Sequence, residues 1–117
     1  MQQDSLQELK TRLREFADER DWDQFHSPKN LSMGLIAEAA EVVEHFQWLT
    51  EEESAQLPPE KIKEVELELA DVLIYVVRLA DKLDIDLADA ALRKIGISEQ
   101  KYPKEKVFGS SKKYTEY

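Results

Sequence analysis

The apolar positions of this 117-residue chain recur at helical rather than strand spacing, and they mark four segments. Leu6, Leu9, Leu13 and Phe16 predict a first helix over about 4–20, capped by Asp4 or Ser5. The polar and aromatic connection DWDQFHSPKN follows. A second helix is expected over 31–49, with Asn30 as its N-cap. The stretch TEEESAQLPPE reads as a loop or a short turn, and Pro59 can open the next helix. Val65, Leu69, Val72, Val76, Leu79 and Leu83 form a helical stripe, which predicts a third helix over 60–83. A fourth, over about 86–100, starts on Asp86 and stops at Tyr102-Pro103. Short connections between such helices predict an all-α fold, an antiparallel four-helix bundle in a single domain spanning 1–117. Gly109-Ser110-Ser111 predicts a flexible tail, within a basic stretch from about 101 to 117, until something orders it.

Composition narrows the chemistry. Only three glycines and four prolines argue against a many-turned β fold. The absence of cysteine excludes disulfides, thiolate zinc sites and cysteine nucleophiles. The start, MQQDSLQELK, has no apolar signal core, and no segment approaches about 18 uninterrupted apolar residues. A cytoplasmic protein with no membrane partner is therefore expected. The net charge of −9 disfavours nucleic acid as a partner. The charge is uneven, because from Arg93 onward seven Lys/Arg face three acids, leaving nine basic and 22 acidic side chains before it. An acidic body carries a basic tail.

Within that body, IAEAAEVVEHFQW sets Glu38, Glu41 and Glu44 at intervals of three, and no Lys or Arg occurs between Lys29 and Lys61. Glu38 falls at the edge of the apolar face of its helix and Glu41 just beyond. Glu68 and Asp71 repeat the layout on the third helix, with Tyr75 following. None of the four has a basic residue three or four positions away. Like charges one turn apart cost about 0.2–0.5 kcal/mol on an exposed helix, and more where water is scarce. A hard divalent cation removes that cost, and Mg²⁺ takes oxygen ligands while sharing its coordination with phosphates. Solvated acidic faces are common, so one E-x-x-E alone carries little weight; the second E-x-x-D raises it. A di-iron bundle would need Glu-x-x-His, and the residue three before His45 is Val42.

Glu38-x-x-Glu41 followed by Glu68-x-x-Asp71 resembles the signature of the all-α nucleoside triphosphate pyrophosphohydrolases, the MazG-like enzymes. FADERDWDQFHSPKN, EHFQWL, ELADVLIYVVRLA and SSKKYTEY are similar to its dCTP pyrophosphatase branch, so the resemblance covers nearly the whole chain. It implies Mg²⁺-dependent cleavage of a nucleoside triphosphate, dCTP foremost, to the monophosphate and pyrophosphate. It also implies that Glu38, Glu41, Glu68 and Asp71 bind the metal and carry catalysis, with Mn²⁺ as a substitute ion. Glu44 either supports that group or lies on a solvated face.

A base needs a flat surface, and Trp22, His26, Trp48 and Tyr75 are candidates, each with a packing or structural role as the alternative. On a helical wheel Trp48 and Tyr75 lie toward the acidic margin rather than the apolar stripe, and Phe25 is expected to pack. Lysines of the tail can neutralise phosphate oxygens or simply be solvated. The resemblance singles out Lys94, Tyr102, Lys113 and Tyr114 for substrate binding. Ser98 and Lys101 depart from the asparagine and arginine common in the family, and lysine lacks the bidentate phosphate fork. Long amphipathic helices in so short a chain suggest association, and the family typically forms homotetramers built as dimers of dimers. The rival expectations are the same fold acting on dUTP or another nucleotide, and a catalytically silent helical oligomerisation module.

Overall fold

The computed structural model describes residues 5–111, so Lys113 and Tyr114, like the alternative cap Asp4, lie outside the described residues. Helices α1 (Ser5–Glu19), α2 (Pro28–Glu44), α3 (Glu51–Ser54), α4 (Pro59–Lys82), α5 (Leu87–Lys101) and α6 (Lys104–Val107) follow in order, with a 3₁₀ turn at Asp23–Phe25. The all-α class holds, no strand occurs among the described residues, and all four expected long helices are formed. No helix is long and apolar enough to cross a membrane among the described residues. The chain divides into two compact units, Met1–Ile85 and Asp86–Tyr117.

In the first unit α4 packs against both α2 and α1. The α2–α4 register is antiparallel: Gly34 meets Tyr75 near one end, and His45 meets Glu64 near the other. Ala17, Leu31, Val65, Val77 and Ala80 are the buried apolar residues among those described. The expected α4 stripe is only partly covered. Val65 is buried and Val72, Val76 and Leu79 half-buried, whereas Leu69 and Leu83 are 54% and 51% exposed. Leu69 joins Ile62 and Leu73 at helical spacing on a strip of α4 that neither α1 nor α2 covers.

Both α1 and α4 end in the same device. Asp21 and Asp84 adopt left-handed backbone, with φ of 53° and 56°. Trp22 N–H then reaches back to Ala17 O and Ile85 N–H to Ala80 O, both at 2.9 Å. These are Schellman closures with aspartate standing in for the usual glycine. The first of them ends α1 and turns the chain at Trp22.

The ends of α2 differ from expectation. It starts at Pro28, not after Asn30, because a residue before proline is held extended and so makes a good N-cap. Ser27 takes that role, its hydroxyl accepting from Asn30 N–H at 3.1 Å. The Asn30 amide instead donates to Phe25 O at 3.1 Å, and Phe25, expected to pack, is 59% exposed. At the other end α2 stops at Glu44. His45 and Phe46 N–H groups turn back on Val42 and Val43 carbonyls, and Thr50 is drawn out to cap α3. Thr50 and Glu53 form a complete capping box, so the expected turn at 50–60 holds a short helix. In the second unit, Asp86 caps α5 as expected by accepting from Asp89 N–H at 3.0 Å, and Tyr102 closes its C-terminus.

Candidate active site

The antiparallel register brings the acidic margins of α2 and α4 face to face. One carboxylate oxygen from each of Glu38, Glu41, Glu68 and Asp71 lies within 4.8 Å of the others. Glu41 is exposed and the other three are half-buried. The Oε2 atoms of Glu38 and Glu68 are shut off from solvent and have no hydrogen-bond partner among the described residues. Burial, and then the charge of Glu41, push the Glu38 carboxyl above its ordinary range. Glu68 is raised by its hydrogen-bonding approach to Glu41, by burial and by the charges of Glu41 and Asp71, with His45 opposing. Buried carboxylate oxygens that lack a donor are unfavourable unless a cation meets them. The donor set is all oxygen and suits a hard divalent ion, so the residues present fit such an ion.

His45 stands beside this group, its Nε2 3.9 Å from Glu68 Oε1 and its Nδ1 3.9 Å from Glu64 Oε2. It went unassigned in the sequence, where its place one turn past Glu41 was the available signal. Glu44 is not one of the converging acids; it is exposed on α2 along a groove with Ile36, Ala40 and Val43.

One turn along α4 from Asp71, about 6 Å of rise, Tyr75 enters a cavity of about 260 Å³. Trp22, His26 and Tyr75 share its walls with Phe16, Leu31 and Arg78. Phe16 meets the Trp22 ring edge-on, with centroids 5.7 Å apart, and Arg20 stacks 3.7 Å over the other ring. Gly34 lets the Tyr75 ring lie against the α2 backbone, since a Cβ there would meet Tyr75 Cε1 at 2.2 Å.

Trp48 does not join them. It lies beyond the end of α2, so its helical-wheel position does not apply, and it is 86% exposed. In the second unit Lys94 lies exposed on α5, and Tyr102 follows that helix at 40% exposure.

Arg78 is the residue that sequence reasoning passed over. It is 5% exposed, with Nη2 3.2 Å from Asp23 Oδ1 and 3.1 Å from His26 Nδ1, and Nη1 3.6 Å from Asp81 Oδ2. Lys82 shares the Asp23 carboxylate. A basic residue inside the apolar run VLIYVVRLA was the signal, because such a residue must find acids or leave the core.

The chain is similar to known proteins over most of its length. Residues 36–117 match the model of the MazG-like family. The dCTP pyrophosphatase 1 of Homo sapiens is 42% identical over 114 residues, 96% of this chain and 67% of that protein. Its Mus musculus counterpart is 40% identical over the same shares. A pyrophosphatase from Archaeoglobus fulgidus superposes with a TM-score of 0.82 at 40% identity, over 88% of this chain and 96% of the other. With its paired acidic motifs on antiparallel helices, the chain belongs to the MazG-like family.

Proposed function

We propose that this protein is a divalent-metal-dependent nucleoside triphosphate pyrophosphohydrolase that cleaves dCTP to dCMP and pyrophosphate, using Mg²⁺ or in its place Mn²⁺. The carrying observation is the convergence of Glu38, Glu41, Glu68 and Asp71 within 4.8 Å, with two shielded oxygens lacking donors. The names of the human and mouse relatives supply dCTP as the lead substrate.

Glu38, Glu41, Glu68 and Asp71 would hold the cation. When bound, it supplies positive charge to the phosphate oxygens and acidity to the attacking water. The chain's own groups do the rest. Water attacks the α-phosphorus, the bond to the α–β bridging oxygen breaks, and pyrophosphate leaves. Trp22 and Tyr75 offer aromatic faces to the base, His26 a polar edge, and the apolar cavity walls exclude water around it. The cavity begins one turn from Asp71, which suits a base held close to its own phosphates. Lys94, Tyr102, Lys113 and Tyr114 enter as further substrate contacts on the family resemblance, and Trp48 as an aromatic face still free to meet the base. An exposed Trp48 would need a second copy of the chain or the substrate itself to cover it.

The whole chain acts as one domain on this view, in the cytoplasm, as a homotetramer built from two dimers. Ile36 and Val43, 70% and 55% exposed along the α2 groove, support association with further copies. A panel of dCTP, dTTP, dUTP, dATP and dGTP with pyrophosphate detection tests the function. Preference for dCTP with pyrophosphate release is expected. Equal rates on every base would remove the base-reading cavity, and no turnover on any would leave a silent helical module.

A further inference from the structure

The cavity that holds Trp22 and Tyr75 contains one residue whose hydrogen-bonding character is fixed by a neighbour. Arg78 Nη2 lies 3.1 Å from His26 Nδ1. A guanidinium has donors only and keeps its charge at every working pH, so Nδ1 must be the acceptor. The single ring proton of His26 is then on Nε2. Asp23 is within 3.2 Å of the same Nη2, Asp81 within 3.6 Å of Nη1, and both hold the guanidinium in place. Arg78 is almost fully buried, so this arrangement is built into the fold rather than draped on its surface. Burial, followed by the charges of Arg78 and Lys82, also disfavours the doubly protonated ring, with only Asp23 opposing. Arg78 Nε is a second buried donor on this side chain, unpartnered among the described residues.

We propose that Arg78 is a positioning residue that sets base preference by holding His26 as a neutral Nε2–H donor toward the cavity's ligand. The inference rests on the pyrophosphohydrolase function proposed above and names how its base is chosen. A fixed donor favours a base edge that presents an unprotonated ring nitrogen and opposes one that presents N–H at that point. Cytosine and thymine differ in this way at ring nitrogen 3, an acceptor in the first and a donor in the second. A donor facing a donor leaves both buried groups unpaired, which discriminates more strongly than a change of shape. A histidine free to switch tautomers would accept from thymine as readily as it donates to cytosine.

The test combines two readouts on the full chain with Mg²⁺. Long-range ¹H–¹⁵N correlation of the imidazole reports the His26 tautomer without any turnover. The ratio of kcat/KM for dCTP over dTTP reports selection. Wild type should show protonated Nε2 and a high ratio. Arg78→Met should show mixed tautomers and a ratio lowered about tenfold or more. Arg78→Lys, which keeps a donor, should retain part of both. Because Arg78→Met removes one basic partner from each of two acids, His26→Phe serves as a second variant that leaves Arg78, Asp23 and Asp81 together; it should lower the ratio similarly. An unchanged tautomer in Arg78→Met, or an unchanged ratio in His26→Phe with an active wild type, overturns the proposal. Absence of turnover in wild type on every triphosphate overturns the proposed function and the base selection with it, and the tautomer measurement distinguishes that case.

Discussion

The Tyr75 ring occupies the place where a side chain on Gly34 would begin. A Cβ at residue 34 would sit 2.2 Å from Tyr75 Cε1, and 2.8 and 2.9 Å from Cζ and Cδ1. The ring is rigid, so Gly34→Ala must turn it away from α2, and the open volume beside it is the cavity. Alanine gains helix propensity of about 1 kcal/mol over glycine, which offsets part of the packing strain of about 1–3 kcal/mol. We expect Gly34→Ala to change Tm little while raising KM for dCTP about tenfold, measured by steady-state kinetics beside thermal melts. An unchanged KM would separate Tyr75 from substrate binding.

The four acids predict a trade between stability and activity. Without a cation, burial and the charges of Glu41, Asp71 and Glu68 all oppose ionisation of the Glu38 carboxyl. Glu38→Gln should therefore raise the melting midpoint of the metal-free protein by about 2–4 °C. The same change should lower turnover by at least about 100-fold and abolish the rise in Tm expected of the wild type on adding Mg²⁺. A variant that melts lower in chelator yet still responds to Mg²⁺ would assign Glu38 to packing.

Acid sensitivity has another source. Arg14 grips Asp81 through two hydrogen bonds, 2.7 Å and 2.6 Å, and holds its carboxyl below the ordinary range. Lys82 first, then Arg78, do the same for Asp23. A depressed folded-state value contributes stability that is present above the unfolded-state value, about 4, and is lost as pH falls through the lower one. Tm of the wild type should drop steeply below about pH 4. Asp81→Asn should lower Tm at pH 7, by less than loss of a fully buried pair would because Arg14 is exposed, and flatten that acid limb. Parallel pH curves for the two proteins would contradict the assignment.

The α2 groove lined by Ile36, Ala39, Ala40 and Val43 predicts assembly. Light scattering should give a mass well above the 13.6 kDa of one chain. Ile36→Asp should shift it toward smaller species, because a charge at an apolar interface is left without a partner. A monomeric wild type would remove the tetramer.

The long helices were legible because burial on one side imposes a period, and the metal-type cluster because charges without partners stand out against it. Glu38 and Glu68 could be matched in sequence, since the same spacing recurs on two helices whose acidic margins meet if their apolar stripes pack. Local hydrogen bonding decided what periodicity could not. Ser27 replaced Asn30 as the cap of α2, and the Thr50–Glu53 box helped end that helix before Trp48. Arg78 was hidden for a different reason. Its partners Asp23 and His26 lie 55 and 52 residues away, and only the fold brings them within reach.

The most direct measurement follows dCTP by ³¹P nuclear magnetic resonance with the purified protein, in Mg²⁺ and then in excess chelator, beside Glu41→Gln. Signals of dCMP and pyrophosphate should appear with Mg²⁺ in the wild type, vanish in chelator and return when the ion is restored, while Glu41→Gln stays silent throughout. Hydrolysis undiminished by chelator, or release of orthophosphate with dCDP, would contradict a cation held by Glu38, Glu41, Glu68 and Asp71 for cleavage at the α-phosphorus.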